Sequence, residues 1–137
     1  MSISNDQRRF VRERAGNCCE YCRVSQSSRF ARFHVDHVVA TKHGGTDTVD
    51  NFCLACAKCN GYKGSNVAAL DPLTRAATKL YDPRQQQWDD HFAIKPDATL
   101  SGRTPEGRTT IFVLRMNDDQ RVIQRMGEML AGDYPCR

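Results

Sequence analysis

No stretch of this 137-residue chain approaches the roughly 20 consecutive apolar residues that a membrane-spanning helix needs. Met1 to Asp6 lacks the basic start and apolar run of a secretory leader, so the expected setting is the cytoplasm, with no membrane partner. There is no internal repeat and no low-complexity linker, and a single domain over residues 1–137 is the expectation. Neither sign of charge dominates: 20 Lys and Arg against 16 Asp and Glu leave +4 and a pI of about 8.8. That balance suits a polyanionic partner without requiring one. An even cysteine count is lacking too, because seven cysteines cannot all pair.

The positive charge is concentrated where the cysteines begin. Arg8, Arg9, Arg12, Arg14, Arg23, Arg29, Arg32 and Lys42 all fall in the first third, while acids gather elsewhere, as in Asp89-Asp90 and Asp118-Asp119. A basic front third favours nucleic acid over an acidic protein partner. The cysteines form two CxxC pairs, Cys19/Cys22 and Cys56/Cys59, separated by 33 residues. In a reducing compartment such pairs read as metal ligands rather than disulfides. Four thiolates in two knuckles suit a tetrahedral structural zinc, and zinc would help a chain of this size hold a modest core. Two other registers compete: Cys18 in place of Cys19, and Cys53 with Cys56. Cys56/Cys59 is preferred because Cys53 lies in an expected strand. Cys136 reads as incidental.

Ser4 caps an expected helix from about Asn5 to Ala15 that Gly16 stops, with Phe10 and Val11 as its small apolar face. Phe33 to Val39 alternates with period two, which predicts a short strand carrying Phe33, Val35 and His37 on one side and His34, Asp36 and Val38 on the other. A glycine loop at Lys42–Asp47, a second strand at Asn51–Leu54 and a helix from the second knuckle to about Tyr62 complete a ββα unit. Beyond it, Leu73–Tyr81 is expected to be a helix, and Phe92–Ile94 is expected to pair with Ala98–Leu100. Thr104-Pro105-Glu106 starts another helix, carrying Ile111, Phe112 and Leu114. The last helix starts at Asn117 or Asp118, with Val122, Ile123, Met126, Met129 and Leu130 along one face, as core or interface.

Between the knuckles stand Asp36 and His37. A carboxylate there can ligate a hard divalent cation while the neighbouring imidazole, off the metal, takes a proton from water. A buried His–Asp hydrogen bond is the structural alternative. The setting between zinc knuckles, with Asn51 and Asn60 following, favours chemistry.

The string Cys19-Glu-Tyr-Cys22, Phe33-His-Val-Asp-His-Val-Val39, His43-Gly-Gly-Thr-Asp47 and Asp50-Asn51 through Cys56-Ala-Lys-Cys59-Asn60-Gly-Tyr-Lys63-Gly64 resembles the HNH endonuclease family, in its stand-alone, zinc-stapled form. The downstream Asp71-Pro72, Pro83-Arg84, Trp88, His91-Phe92 and Gly102–Arg108 resemble the tail of small bacterial or phage members. The resemblance implies an α+β fold. An HNH ββα-metal core of about 17–66 would be stapled by a four-cysteine structural zinc, with helices on both sides and a helical and hairpin extension over about 67–137. It implies His37 as general base and Asn51 as the residue that braces the loop and orients it. Asp36 and Asn60 would hold a single Mg²⁺ or Mn²⁺, with His34 an extra ligand, a phosphate contact or packing support. The implied reaction is hydrolysis of a DNA phosphodiester to 5′-phosphate and 3′-hydroxyl ends. Lys63, Arg32, Arg8, Arg12 and His43 are the candidate DNA contacts, and the absence of a dedicated base-reading helix implies little sequence preference. A monomer or weak homodimer is expected. Ala40 stands where relatives often carry proline, which touches strand-end geometry rather than a ligand. The competing expectation is a zinc-stapled nucleic-acid-binding module without catalysis.

Overall fold

Ser4 Oγ accepts from the Gln7 N–H at 3.1 Å, and Gln7 Oε1 accepts from the Ser4 N–H at 2.9 Å. This reciprocal cap starts helix α1 (Asn5–Arg14) where the sequence predicts it. The computed structural model describes residues 3–137. Along α1, Val11 is fully buried, whereas Phe10 stays half exposed beneath the Arg14 guanidinium, 5.2 Å from its ring centre. The arginines on the other face tie the helix to the chain beneath it. Arg12 donates to the Phe33 carbonyl at 2.8 Å, and Arg14 donates to those of Val49 and Phe52 at 2.8 and 2.7 Å.

The ββα unit follows. Strand β1 (His34–His37) runs antiparallel to β2 (Phe52–Ala55), with Asp36 opposite Cys53 and His37 opposite Phe52. Helix α2 (Ala57–Lys63) starts at Cys56, whose sulfur accepts from the Cys59 N–H at 3.5 Å, so the second CxxC is itself the helix cap. All of β2 is buried, as expected of a strand covered on both faces.

The C-terminal half differs from expectation in three places. Residues Leu73–Tyr81 form no helix. Instead β3 (Ala68–Leu70) pairs with β4 (Ala77–Lys79) in a hairpin. Asp71 fixes the turn: Oδ1 accepts from the Leu73 N–H at 2.9 Å, and Oδ2 from the Thr74 hydroxyl at 3.0 Å. After α3 (Trp88–His91), β5 (Phe92–Ile94) pairs with β6 (Leu100–Gly102), two residues later than predicted. The shift arises because Asp97 Oδ1 accepts from Thr99 and Ala98 adopts φ +70°, which spends Ala98 in the turn. Thr104 and Pro105 start α4 (Pro105–Val113) as predicted, and α5 (Asp119–Leu130) closes the fold. The third difference is the orientation of α5. Its buried residues are Arg121 and Arg125, while Ile123 and Leu130 are exposed.

The two halves share one core. Trp88 stacks on Phe92 and donates its indole N–H to the Tyr21 carbonyl at 2.7 Å. Glu20 accepts from the Leu54 N–H at 2.8 Å and pairs with Arg84. Cys136 is not incidental: it is disulfide-bonded to Cys18, which corrects the reading of the cysteines as metal ligands rather than disulfides at these two positions. The C-terminal segment is brought alongside the first knuckle by backbone and phenol bonds, Cys136 N–H to Arg23 O and Tyr134 O–H to Cys22 O, which places the two thiols together.

Asp71 also carries a pH dependence. Its fully buried carboxylate is held well below the usual range, first by Arg108, which donates to both oxygens at 3.2 and 2.7 Å, and then by Leu73 and Thr74. A depressed folded-state pKa stabilises above the unfolded value of about 4, and that contribution is lost as pH falls below it. Asp71→Asn is therefore expected to melt below wild type at neutral pH, with the gap narrowing below about pH 4. Thermal melts of both proteins across pH check this, and a gap independent of pH would remove the ion pair from the account.

Candidate metal centre and active site

The four thiols of Cys19, Cys22, Cys56 and Cys59 are buried and lie within 4.8 Å of one another. Cys22 and Cys56 sulfurs are 3.8 Å apart, which is the edge of a tetrahedron with metal–sulfur bonds of about 2.3 Å. Two backbone N–H groups point at sulfur, Cys22 N–H to Cys19 at 3.4 Å and Cys59 N–H to Cys56 at 3.5 Å. The thiols stand too close to titrate alone. The Cys19 thiol, first, holds Cys22 well below the ordinary value, and burial pushes Cys19 well above it. A bound cation would favour the thiolate in all four. The donor set therefore fits a structural zinc, and it settles the register. Cys18 is in the disulfide, and Cys53 lies in β2 with its thiol pushed up by burial. Among the described residues no other group of three or more His, Cys, Asp or Glu side chains converges.

One end of β1 gathers the remaining polar groups. His37 Nε2 lies 2.8 Å from Asp47 Oδ1, and the ring meets the Phe52 ring edge-on with centroids 5.0 Å apart. With Nε2–H donated to Asp47, Nδ1 keeps its lone pair. Sequence reasoning assigns Asp47 no role, because its bond to His37 spans ten residues of irregular loop. Asn51 braces that loop. Its amide donates to the Val39 and Thr46 carbonyls, both at 2.9 Å, and its oxygen accepts from the Val39 N–H at 3.0 Å. Gly45 sits so close to this clamp that a Cβ would lie 1.7 Å from the Val39 oxygen, so only glycine fits there.

Asp36 and Lys63 form the other half. Lys63 is 2% exposed, with Nζ 3.3 Å from Asp36 Oδ2 and donating to the His37 carbonyl at 3.0 Å. Lys63, expected as a phosphate contact, has its ammonium turned inward and shared by two acceptors on β1. Asp36 Oδ2 is buried without a well-aligned hydrogen bond. Burial pushes the Asp36 carboxyl above the usual carboxylate range, and Lys63 partly offsets it. Asn60 precedes Lys63 by three residues and so shares its face of α2.

His34 is exposed and lines a cleft of about 700 Å³ with Arg8, Arg9, Arg12 and Arg32. The Arg12 guanidinium is lowered by burial and by its neighbours Arg32 and Arg8, as expected of crowded like charges. His43 is exposed in a short 3₁₀ turn (Thr41–His43) beyond β1. No helix is long and apolar enough to cross a membrane among the described residues.

Residues 19–66 match the family model described as HNH endonuclease. Over that stretch the chain is similar to the HNH endonuclease family. Its match begins at the first zinc-type knuckle and ends just past α2, so it encloses both CxxC pairs, Asp36, His37, Asn51 and Asn60. Neither a curated protein nor a solved structure matches the chain. An HNH domain marks a nuclease family and implies a nucleic-acid substrate.

Proposed function

We propose that this protein is a metal-dependent DNA endonuclease of one structural domain, acting as a monomer or weak homodimer. The observation that carries the reading is His37 within the stretch that matches the HNH family, with Nε2 2.8 Å from Asp47 Oδ1, an arrangement in which Nδ1 would be the proton acceptor.

In this mechanism His37 Nδ1 takes a proton from water, and the Asp47 carboxylate holds the ring and steadies the imidazolium that forms. Asn51 keeps the Val39–Thr46 loop, and with it Asp47, in register. Asp36 and Asn60 would hold one Mg²⁺ or Mn²⁺, with Asp36 Oδ2, which has no well-aligned hydrogen bond and only Lys63 as counter-charge, as the oxygen such an ion would take. When bound, that cation supplies charge stabilisation for the phosphorane and the departing 3′ oxygen. The ends left are 5′-phosphate and 3′-hydroxyl. Arg8, Arg12, Arg32 and His34 would grip DNA phosphates in the cleft beside β1, with His43 as a further contact from its exposed turn. Contacts of that kind position a duplex without reading its sequence, so little sequence specificity is expected.

The non-catalytic binding module has one observation on its side, the Lys63 ammonium against Asp36. Supercoiled-plasmid cleavage by the zinc-loaded protein decides between the two. Nicking that requires Mg²⁺ or Mn²⁺ supports the enzyme, and metal-independent gel shifts without nicking support the module.

The arginine cleft makes its own prediction. Arg8→Gln/Arg32→Gln is expected to lower the slope of log affinity against log salt by about 2, at roughly 0.9 for each phosphate no longer neutralised. Equilibrium titrations of a DNA duplex at several salt concentrations read this, and an unchanged slope would place the DNA elsewhere.

A further inference from the structure

Helix α5 buries its arginines Arg121 and Arg125 more deeply than its apolar residues, of which Val122, Met126 and Met129 are half-buried and Ile123 and Leu130 exposed, and the reason lies beneath it. Arg121 is 8% exposed. One guanidinium nitrogen donates to Cys59 Sγ at 3.1 Å and stands 4.0 Å from Cys56 Sγ. The other donates to the Leu114 carbonyl at 2.6 Å and reaches that of Arg115 at 3.3 Å, at the C-terminal end of α4. A divalent ion held by four thiolates leaves a net charge of −2 in a buried place, and buried charge requires a partner.

The other cations near this cluster are engaged elsewhere. Arg29 pairs with Glu128. Arg125 donates to the carbonyls of Ala98 and Met116, both at 2.7 Å, and lies over the Tyr134 ring. Lys58 is exposed. Among the described residues Arg121 is the one cationic side chain bonded to a sulfur of the cluster.

We propose that Arg121 is an outer-sphere partner of the zinc centre. It neutralises part of the thiolate charge and links the end of α4 and the start of α5 to the metal. The proposal rests on the zinc reading of the four cysteines. It explains why an amphipathic helix docks by its arginine face: the surface it meets is a negative metal cluster and a row of helix-end carbonyls, both of which attract cations.

The test uses the full chain with its zinc, as wild type, Arg121→Met, Arg121→Gln and Arg121→Lys. Zinc affinity is measured by competition with a chromophoric chelator, thiolate-to-metal charge-transfer bands are recorded after Co²⁺ substitution, and iodoacetamide labelling is mapped by peptide. Arg121→Met is expected to weaken metal binding about 10–100-fold, the usual cost of losing an outer-shell partner. It should also shift the Co²⁺ charge-transfer bands and make Cys59 and Cys56 alkylate faster. Arg121→Lys should recover part of the affinity by charge, and Arg121→Gln, which keeps a donor but no charge, should not. If the methionine variant fails to fold, the lysine–glutamine comparison carries the result alone. Wild-type affinity and spectrum in the methionine or glutamine variant, even with a lower melting temperature, would reduce Arg121 to a cap on α4. A wild-type protein that takes up no zinc would overturn the metal reading itself, a result distinguishable from zinc-loaded variants that ignore residue 121.

Discussion

Replacing His37 with alanine is expected to slow plasmid cleavage about 10²–10⁴-fold, the usual cost of a lost general base, while leaving a folded, zinc-loaded protein. The fold should survive because the ring is not a core element. Its side chain is 24% exposed, and its contacts are Asp47, equally exposed, and one edge of Phe52. Water can solvate Asp47 once the imidazole is gone, so no buried charge is stranded. Backbone pairing of residue 37 with Phe52 across β1 and β2 does not depend on the side chain. Cleavage time courses at saturating Mg²⁺, set beside melting temperature and zinc content, separate the outcomes. Cleavage within a few-fold of wild type would remove His37 from the mechanism. Loss of zinc or of the melting transition would make it structural.

Cys56→Ser is expected to have the opposite profile: loss of metal and of the cooperative fold together. Cys56 does four things at once. It offers a thiol to the cluster, caps α2, lies 3.8 Å from the Cys22 sulfur and approaches Arg121 at 4.0 Å. Structural zinc contributes an apparent ~10–16 kcal/mol in small zinc-dependent folds, which equals or exceeds the ~5–15 kcal/mol that separates most folded domains from their unfolded chains. With one ligand gone, Arg121 is also left buried beside an incomplete set of thiolates. Zinc content and thermal melts, run without reductant so that Cys18–Cys136 stays joined, read both losses. A zinc-free Cys56→Ser protein that melts at the wild-type temperature would show that the metal does not hold the fold.

What the sequence made legible was local or spaced along short intervals. The Ser4 cap, the Thr104-Pro105 start and the second knuckle opening α2 each rest on bonds between residues three or four apart. The ββα unit follows from alternation in Phe33–Val39 and from the CxxC spacing. What stayed hidden depends on partners far away in the chain. Leu73–Tyr81 contains good helix formers, yet Arg108, 37 residues from Asp71, holds that carboxylate in a turn and a hairpin results. Hydrophobic periodicity left the apolar face of α5 as core or interface, and the arginine that the helix buries meets a sulfur more than 60 residues upstream. Cys136 lacked any local motif, and its partner is 118 residues distant. In the candidate site, Asp36, His37 and Asn51 sat in recognisable strings. Asp47 as the bond to His37, and Lys63 as the counter-charge to Asp36, needed the folded loop and helix.

Lys63 gives the end of β1 a resident cation, and that changes what arrival of a divalent ion would mean. With Nζ 3.3 Å from Asp36, the carboxylate is already partnered. On the proposed assignment, metal binding is an exchange of counter-ions, and it draws less free energy from Asp36 than from a bare carboxylate. The balance would come from the phosphate of the nucleic acid. Metal and DNA then raise each other's affinity by the same factor, as thermodynamic linkage requires. Away from DNA the protein would hold a hard cation weakly, and its water-activating machinery would stay idle until a phosphate supplied the missing negative charge.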